Sequence, residues 1–424
     1  MLPFHRTGEP PPELAEGLRL LGEFKGGGSK APGFLLRRES GEFLLVSPLL
    51  YGLVEEMDGT KPYGQIAESL NERFGKTLSP EDVLCLLDRL RPLGVLAGSA
   101  SAAQPTPPLL GVRSCATLIP AGVAVRAARI SRHLFRPSVL VPALVSSFAI
   151  QLVIIRSELP IETDRLFRSP AVLLAVLGVT LLGGLFHELG HASAAAYSGA
   201  EPGRIGVGMH LVWPAFFTDV TDAYALGRAG RLRTDLGGVY FNVLLALGFS
   251  LAYAFTGHEV WFWAMLAQEL TIVQQFLPFL RLDGYYVACD LAGVPDLFSL
   301  MRPTSAAFLR RRKRFWEAIE LGPGAAAFVL IWSAATVAFL AWFGIRLALA
   351  IPGIAHTALT LVQQLGLSGL KHLAGGSPAA GLAELVVSLL VAVQTSALGL
   401  LIYRLGRLSA TSALRRLRKS GPPK

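Results

Sequence analysis

Charge is scarce in this sequence. Only 16% of its 424 residues are Asp, Glu, Lys or Arg, where soluble globular proteins carry about 25%. Cysteine is scarcer still, at three residues: Cys85, Cys115 and Cys289. They form no CxxC pair, so neither a cysteine zinc site nor a disulfide framework is indicated. The N-terminus is polar and Pro-rich, with no basic stretch leading into an apolar core, and no signal peptide is expected. What fills the chain instead is apolar: 52% hydrophobic residues and a mean hydropathy of +0.48. Such a chain expects lipid around much of its surface. The net charge of +9 raises the question of nucleic acid. The Arg and Lys residues cluster beside apolar runs and do not form one basic face, so no nucleic-acid partner is expected.

Residues 1–33 read as a flexible tail, with Pro10-Pro11-Pro12 and Gly26-Gly27-Gly28. Residues 34–98 read as a small soluble domain. Phe34-Leu35-Leu36-Arg37-Arg38 and Phe43-Leu44-Leu45-Val46 flank Ser40-Gly41, a hairpin pattern. Three stretches with apolar residues at helical spacing follow, near 48–57, 63–74 and from Ser79 onward. Ser79-Pro80-Glu81-Asp82 opens the third with a cap, a proline at the first position and acids in the first turn. Two strands and three short helices suggest a winged-helix unit. Residues 99–137 are expected to be a linker, rich in Ala, Ser and Pro, followed by a basic juxtamembrane segment. The membrane part is expected over 138–404 and a basic cytoplasmic tail over 405–424.

Six long apolar runs lie near 138–155, 170–191, 236–256, 260–281, 322–350 and 382–403. About 20 apolar residues make one helical crossing. Lys and Arg collect in cytoplasmic loops. Basic residues precede the first run (Arg126, Arg129, Arg132), separate the second from the third (Arg228, Arg231, Arg233), separate the fourth from the fifth (Arg310 to Arg314) and follow the sixth. Every second loop is basic, which puts both termini in the cytoplasm. The expected fold is therefore mostly α: a polytopic helical membrane protein of about six transmembrane helices, with a small N-terminal α+β winged-helix domain.

The second run ends in Phe186-His187-Glu188-Leu189-Gly190-His191. Residues i and i+4 share a helix face, so His187 and His191 can point at one metal ion, as tetrahedral zinc requires. Glu188, one step round, can take a proton from water activated by the metal and deliver it to the leaving amine. HExxH alone also occurs by chance. Ionisable residues inside a membrane span are costly unless they act; the plainer reading is polar packing between helices. A catalytic zinc takes a third protein ligand. The best candidate is Asp283, which follows Pro278-Phe279-Leu280-Arg281-Leu282 and precedes Gly284 at the end of the fourth run. The topology puts it on the same side of the membrane as the histidines. An Asp before Gly is also a common cap or turn residue; the ligand role is preferred.

HELGH in one membrane helix and a Pro-preceded LDG in another resemble the site-2 protease family of intramembrane metalloproteases. The strings Trp213-Pro214-Ala215-Phe216-Phe217-Thr218-Asp219-Val220-Thr221-Asp222 and Leu282-Asp283-Gly284-Tyr285-Tyr286 are similar to its bacterial peptide zinc metalloprotease branch. The resemblance covers residues 170–300 well. It implies one Zn2+ on His187, His191 and Asp283, Glu188 as acid–base, and a multi-pass protein of the bacterial cytoplasmic membrane. The family usually has Asn three residues before the proline of the LDG segment; here Gln275 keeps the amide on a longer side chain. Asn242, after Gly237-Gly238-Val239-Tyr240-Phe241, matches a second family position. It reads equally as substrate-binding or as polar glue beside a helix-packing glycine pair.

Alternation over 205–213 signals a strand. The family has a hairpin near its active site, where an edge strand could hold substrate extended; His210 is a minor alternative as a spare ligand. Glu269, Asp290 and Arg346 are expected to pair between helices. Met57-Asp58-Gly59-Thr60 and Leu93-Gly94-Val95-Leu96 with their flanking helices resemble the winged-helix peptide-binding domains of ribosomal peptide-modification systems. That resemblance implies leader-peptide binding by strand addition; a plain structural cap is the other reading. The whole reads as a zinc endopeptidase acting on a peptide or membrane-protein substrate. The alternative is a non-proteolytic accessory protein for binding, export or immunity of a ribosomal peptide.

Overall fold

The protein is described by a computed structural model over residues 11–38, 43–97, 112–156, 169–210, 213–310 and 320–419. Strands β1 (Arg19–Glu23), β2 (Phe34–Arg37) and β3 (Phe43–Val46) form an antiparallel sheet in that order. Leu36 stands opposite both Leu20 and Leu44. The helices α1 (Pro48–Glu56), α2 (Tyr63–Phe74) and α3 (Pro80–Leu90) follow. Their apolar faces bury Leu53, Val54, Ile66, Leu70 and Leu90 together with Leu36 in one core. The start of α3 is fixed by a capping box between Ser79 and Asp82. The β2–β3 turn at 39–42 lies outside the described residues, as does the 98–111 stretch.

Residues 11–33 are not a free tail. β1 lies in the sheet, and Leu14, Leu18 and Leu20 pack against its core. The glycine run is packed as well. Gly28 donates its N–H to Gly293 O at 2.6 Å and accepts from Gly322 N–H at 2.8 Å. A Cβ on Gly28 would stand 2.1 Å from Ala292 O. Glycine is there because backbone approaches backbone, which a sequence reading cannot tell from flexibility.

The expected linker segment also carries structure. β4 (Val112–Ile119) pairs antiparallel with β5 (Ile205–His210), and β5 pairs with β6 (Trp213–Thr218). The 205–213 alternation thus covers all of β5 and the first residue of β6. α4 (Ala121–Ser131) follows β4.

Among the described residues, five helices are long and apolar enough to cross a membrane. They are α5 (Pro137–Arg156), α6 (Pro170–Ser198), α8 (Gly237–Thr256), α12 (Pro323–Ala374) and α13 (Pro378–Lys419). The short α7 (Arg228–Asp235) precedes α8. On this ground the chain is read as a membrane protein. The fourth apolar run differs from expectation. It forms α9 (Glu259–Gln275), only 17 residues, and then leaves the helix. The rest of the run is a turn that leads into α10 (Asp283–Ala292) and α11 (Leu297–Arg310). α12 runs well past the 322–350 stretch: its 52 residues span roughly 78 Å at 1.5 Å per residue. α13 carries the chain in helix as far as Lys419, into the expected tail.

α6 and α8 cross with their backbones in contact. A Cβ on Gly190 would stand 2.4 Å from Gly237 O, and one on Gly237 would stand 2.5 Å from Gly190 O. This is the close crossing that small residues permit in membranes. Of the three ionisable residues expected to pair, Asp290 binds Arg231 at 2.7 Å and Glu269 accepts from Gln151. Arg346 is exposed and makes no ion pair among the described residues.

Candidate metal centre

The α6 helix carries His187 and His191 one turn apart on its buried face. The turn after α9 brings Asp283 to meet them. His187 Nε2 lies 3.1 Å from Asp283 Oδ2, His191 Nε2 lies 3.4 Å from Asp283 Oδ1, and the two Nε2 atoms are 3.1 Å apart. A tetrahedral ion with bonds of 2.0–2.1 Å separates its ligands by about 3.3–3.4 Å. The two Asp283 edges end on different carboxylate oxygens; with one ligand atom from each residue, the three atoms lie within 4.8 Å of one another, near enough to share one ion. Among the described residues these three form a group that could hold a metal ion.

The surroundings fit a cation. His191 Nδ1 stands 2.8 Å from Thr234 O. With the proton on Nδ1 donated to that carbonyl, the Nε2 lone pair is left for a metal. Asp283 Oδ2 and His187 Nδ1 are buried without a hydrogen-bond partner among the described residues. The two Nε2 atoms face one another across 3.1 Å, a spacing that takes either a proton or a metal ion between the rings. Gly238 of α8 forms the floor: a Cβ there would stand 2.4 Å from His187 Nε2 and 2.5 Å from His191 Nε2.

Glu188 is buried beside the histidines. The Thr218 hydroxyl, at the end of β6, lies 2.8 Å from Glu188 Oε2 and 2.9 Å from the Glu188 carbonyl oxygen. The sheet thus fixes the carboxylate as well as the wall of the cavity. Asn242 lies on α8 at 1% exposure, and neither end of its amide has a partner among the described residues. Gln275 is at the last residue of α9, with Oε1 3.5 Å from the Asp283 N–H. All six residues singled out from the sequence line one cavity of about 840 Å³. The His210 side chain lies outside the described residues.

Three contributors were not singled out from the sequence: Thr218, Gly238 and the Thr234 carbonyl. Nor was the buried Arg231, whose Nε binds Asp290 at 2.7 Å and whose guanidinium stacks on Phe24, 4.3 Å from the ring centre. Asp235 lines the cavity next to this pair. Burial, and then the neighbouring Asp290, push its carboxyl above the usual carboxylate range.

No family model matches the chain, and no solved structure matches it. Over 105 residues, 24% of this chain, it is 29% identical to the Bacillus subtilis (strain 168) protein named "Putative peptide zinc metalloprotease protein YydH". The match covers 42% of that protein, less than half of its length. The relationship is distant and partial, and it points to a zinc metalloprotease.

Proposed function

We propose that this chain is a membrane-embedded zinc endopeptidase of the site-2 protease type, cutting a peptide or membrane-protein substrate near the cytoplasmic face of a bacterial membrane. The observation that carries the reading is the cluster of His187, His191 and Asp283, each pair in contact at 3.1–3.4 Å, with Glu188 on the same cavity. The distant metalloprotease relative supports it.

Zinc held by these three residues would polarise the scissile carbonyl and make the attacking water more acidic. Glu188, steadied by the Thr218 hydroxyl, takes a proton from the attacking water. The water oxygen bonds to the carbonyl carbon and the C–N bond breaks. Glu188 then hands the proton to the leaving nitrogen. One carboxylate thus serves both transfers.

The N-terminal unit is proposed to be a winged-helix peptide binder that takes a leader peptide as an added strand. Two features support this. β1 and β3 are both edges of their sheet. Arg37 of β2 also pairs at 2.9 Å with Asp222, which stands between Thr221 and Ala223 of the cavity wall.

The test is Glu188→Gln against Asp283→Ala in the purified full chain. Zinc content is measured by elemental analysis, and hydrolysis with a quenched-fluorescence peptide library. Glu188→Gln should keep its zinc and lose about 10²–10⁴-fold in rate. Asp283→Ala should lose both. Unchanged hydrolysis in Glu188→Gln would show that the chain handles peptides without this chemistry.

A further inference from the structure

A metal centre explains one end of the cavity. The rest of its wall carries charged groups, among them Arg231, Asp235 and Asp290, and beside them a set of neutral polar ones. Gln268 and Thr271 of α9 line the cavity together with Gln275 at that helix's end, Asn242 of α8 and Thr180 of α6. Gln268, Thr271 and Gln275 stand at i, i+3 and i+7, which is one helix face. Gln268 is 1% exposed and makes no hydrogen bond among the described residues. Its amide rests against Gly183, where a Cβ would stand 2.7 Å from Gln268 Nε2. Asn242 is equally buried, and its Oδ1 and Nδ2 have no partner among the described residues. Thr180 and Thr271 each donate their hydroxyl proton to their own helix, at 2.8 Å to Val176 O and to Ala267 O. That leaves their oxygens as acceptors.

A buried amide without a partner is costly, and such a group generally faces a function. What would use these amides must offer both donors and acceptors. A peptide backbone freed from its own helix does so, with one N–H and one C=O per residue. Side-chain amides match it, since each can donate and accept. The length also fits. Gln268 and Gln275 are about 10 Å apart along α9, the span of about three residues of extended chain.

We propose that the Gln268 face of α9, with Asn242 opposite, is a subsite that binds about three residues of unwound substrate through backbone hydrogen bonds, independently of their side chains. This rests on the zinc endopeptidase reading above. It adds Gln268 and Thr271 as residues that position substrate.

The probes are two hydroxamates offered to the zinc-loaded full chain: acetohydroxamate, and a peptidyl hydroxamate with three residues beyond the chelating group. A third probe is the same peptidyl compound with its backbone nitrogens methylated. Gln268→Leu keeps the bulk and removes the amide. It should weaken the peptidyl hydroxamate about tenfold and leave acetohydroxamate unchanged. N-methylation should weaken binding to the native chain but cost Gln268→Leu much less, a coupling that a merely structural role would not produce. Thr271→Val gives the same comparison if Gln268→Leu does not fold. Equal peptidyl affinities in native and variant chains, or the same N-methyl penalty in both, overturns the subsite alone. Failure of acetohydroxamate to bind the native chain overturns the zinc reading and the subsite with it.

Discussion

Replacing Gly238 by alanine puts a methyl group where two imidazoles already stand. The new carbon would lie 2.4 Å from His187 Nε2 and 2.5 Å from His191 Nε2. Non-bonded heavy atoms settle near 3.5 Å or more, so each ring must retreat by about 1 Å. Metal sites hold their ligand distances within about 0.2 Å. The rings cannot both retreat and keep the spacing that a single ion needs. Losing an outer-shell partner alone costs about 10–100-fold in metal affinity. A clash with two direct ligands should cost at least about 100-fold, or about 2.7 kcal/mol.

Two neighbouring glycines make the experiment specific. Gly248→Ala lies on the same helix, and its Cβ would meet nothing within 4 Å; it should bind zinc as the native chain does. Gly237→Ala would push backbone off backbone at Gly190, and should lower the melting temperature whether or not zinc is present. Gly238→Ala should instead keep the melting temperature of the metal-free protein and lose zinc affinity, read by competition with a chelating dye. Native zinc affinity in Gly238→Ala would show that the ligand triangle is not where zinc binds.

Further outcomes follow from the same geometry. Thr218→Val removes the hydroxyl at Glu188 Oε2; the rate should fall about tenfold with full zinc content, and Thr218→Ser should restore it. A fall in zinc content in Thr218→Val would assign that residue to the ligand set instead. A reporter fusion at Lys61 should report the cytoplasm and one at Glu162 the outside. An external Lys61 would overturn the proposed orientation.

The parts of the centre legible in the sequence are those that a regular period fixes. His187 and His191 share a face because any α-helix puts i and i+4 together. Asp283 needed a topological step, that two helix ends lie on one side of the membrane, and the distances agree with it. Thr218 reaches Glu188 through a sheet whose first strand, β4, lies about a hundred residues upstream. No local pattern encodes that pairing. The Thr234 carbonyl is a backbone group, which every residue has. The glycines mislead in the opposite sense. Gly26-Gly27-Gly28 reads as slack, yet Gly28 is wedged between Ala292 and Ala325. Gly238 reads as helix packing, yet its missing side chain makes room for the imidazoles. The amides of α9 did offer a signal: polar residues at i, i+3 and i+7 inside an apolar run mark the face turned to the cavity.

The shortness of α9 is the last point, and it can be tested. An uninterrupted helix from Gln275 would carry Asp283 about 12 Å farther along the axis. Instead the chain turns back, and the Asp283 N–H ends 3.5 Å from Gln275 Oε1. The exit begins with tight bonds, Phe276 N–H to Val273 O and Leu277 N–H to Gln274 O, each spanning three residues. Pro278 then prevents a return to helix, since it has no N–H and its ring would meet the Gln274 carbonyl. Without it, residues 276–282, apolar apart from Arg281, are free to continue as helix, which satisfies every backbone group internally. Pro278→Ala should therefore draw Asp283 away from the histidines. The expected result is at least a tenfold loss of zinc affinity, with the protein still folded and embedded. Pro352→Ala, inside α12, is the control and should bind zinc normally. If Pro278→Ala keeps native zinc affinity and rate, the turn is held by its packing, such as the Thr336 hydroxyl 3.5 Å from Pro278 O. The proline would then not be what delivers the third ligand.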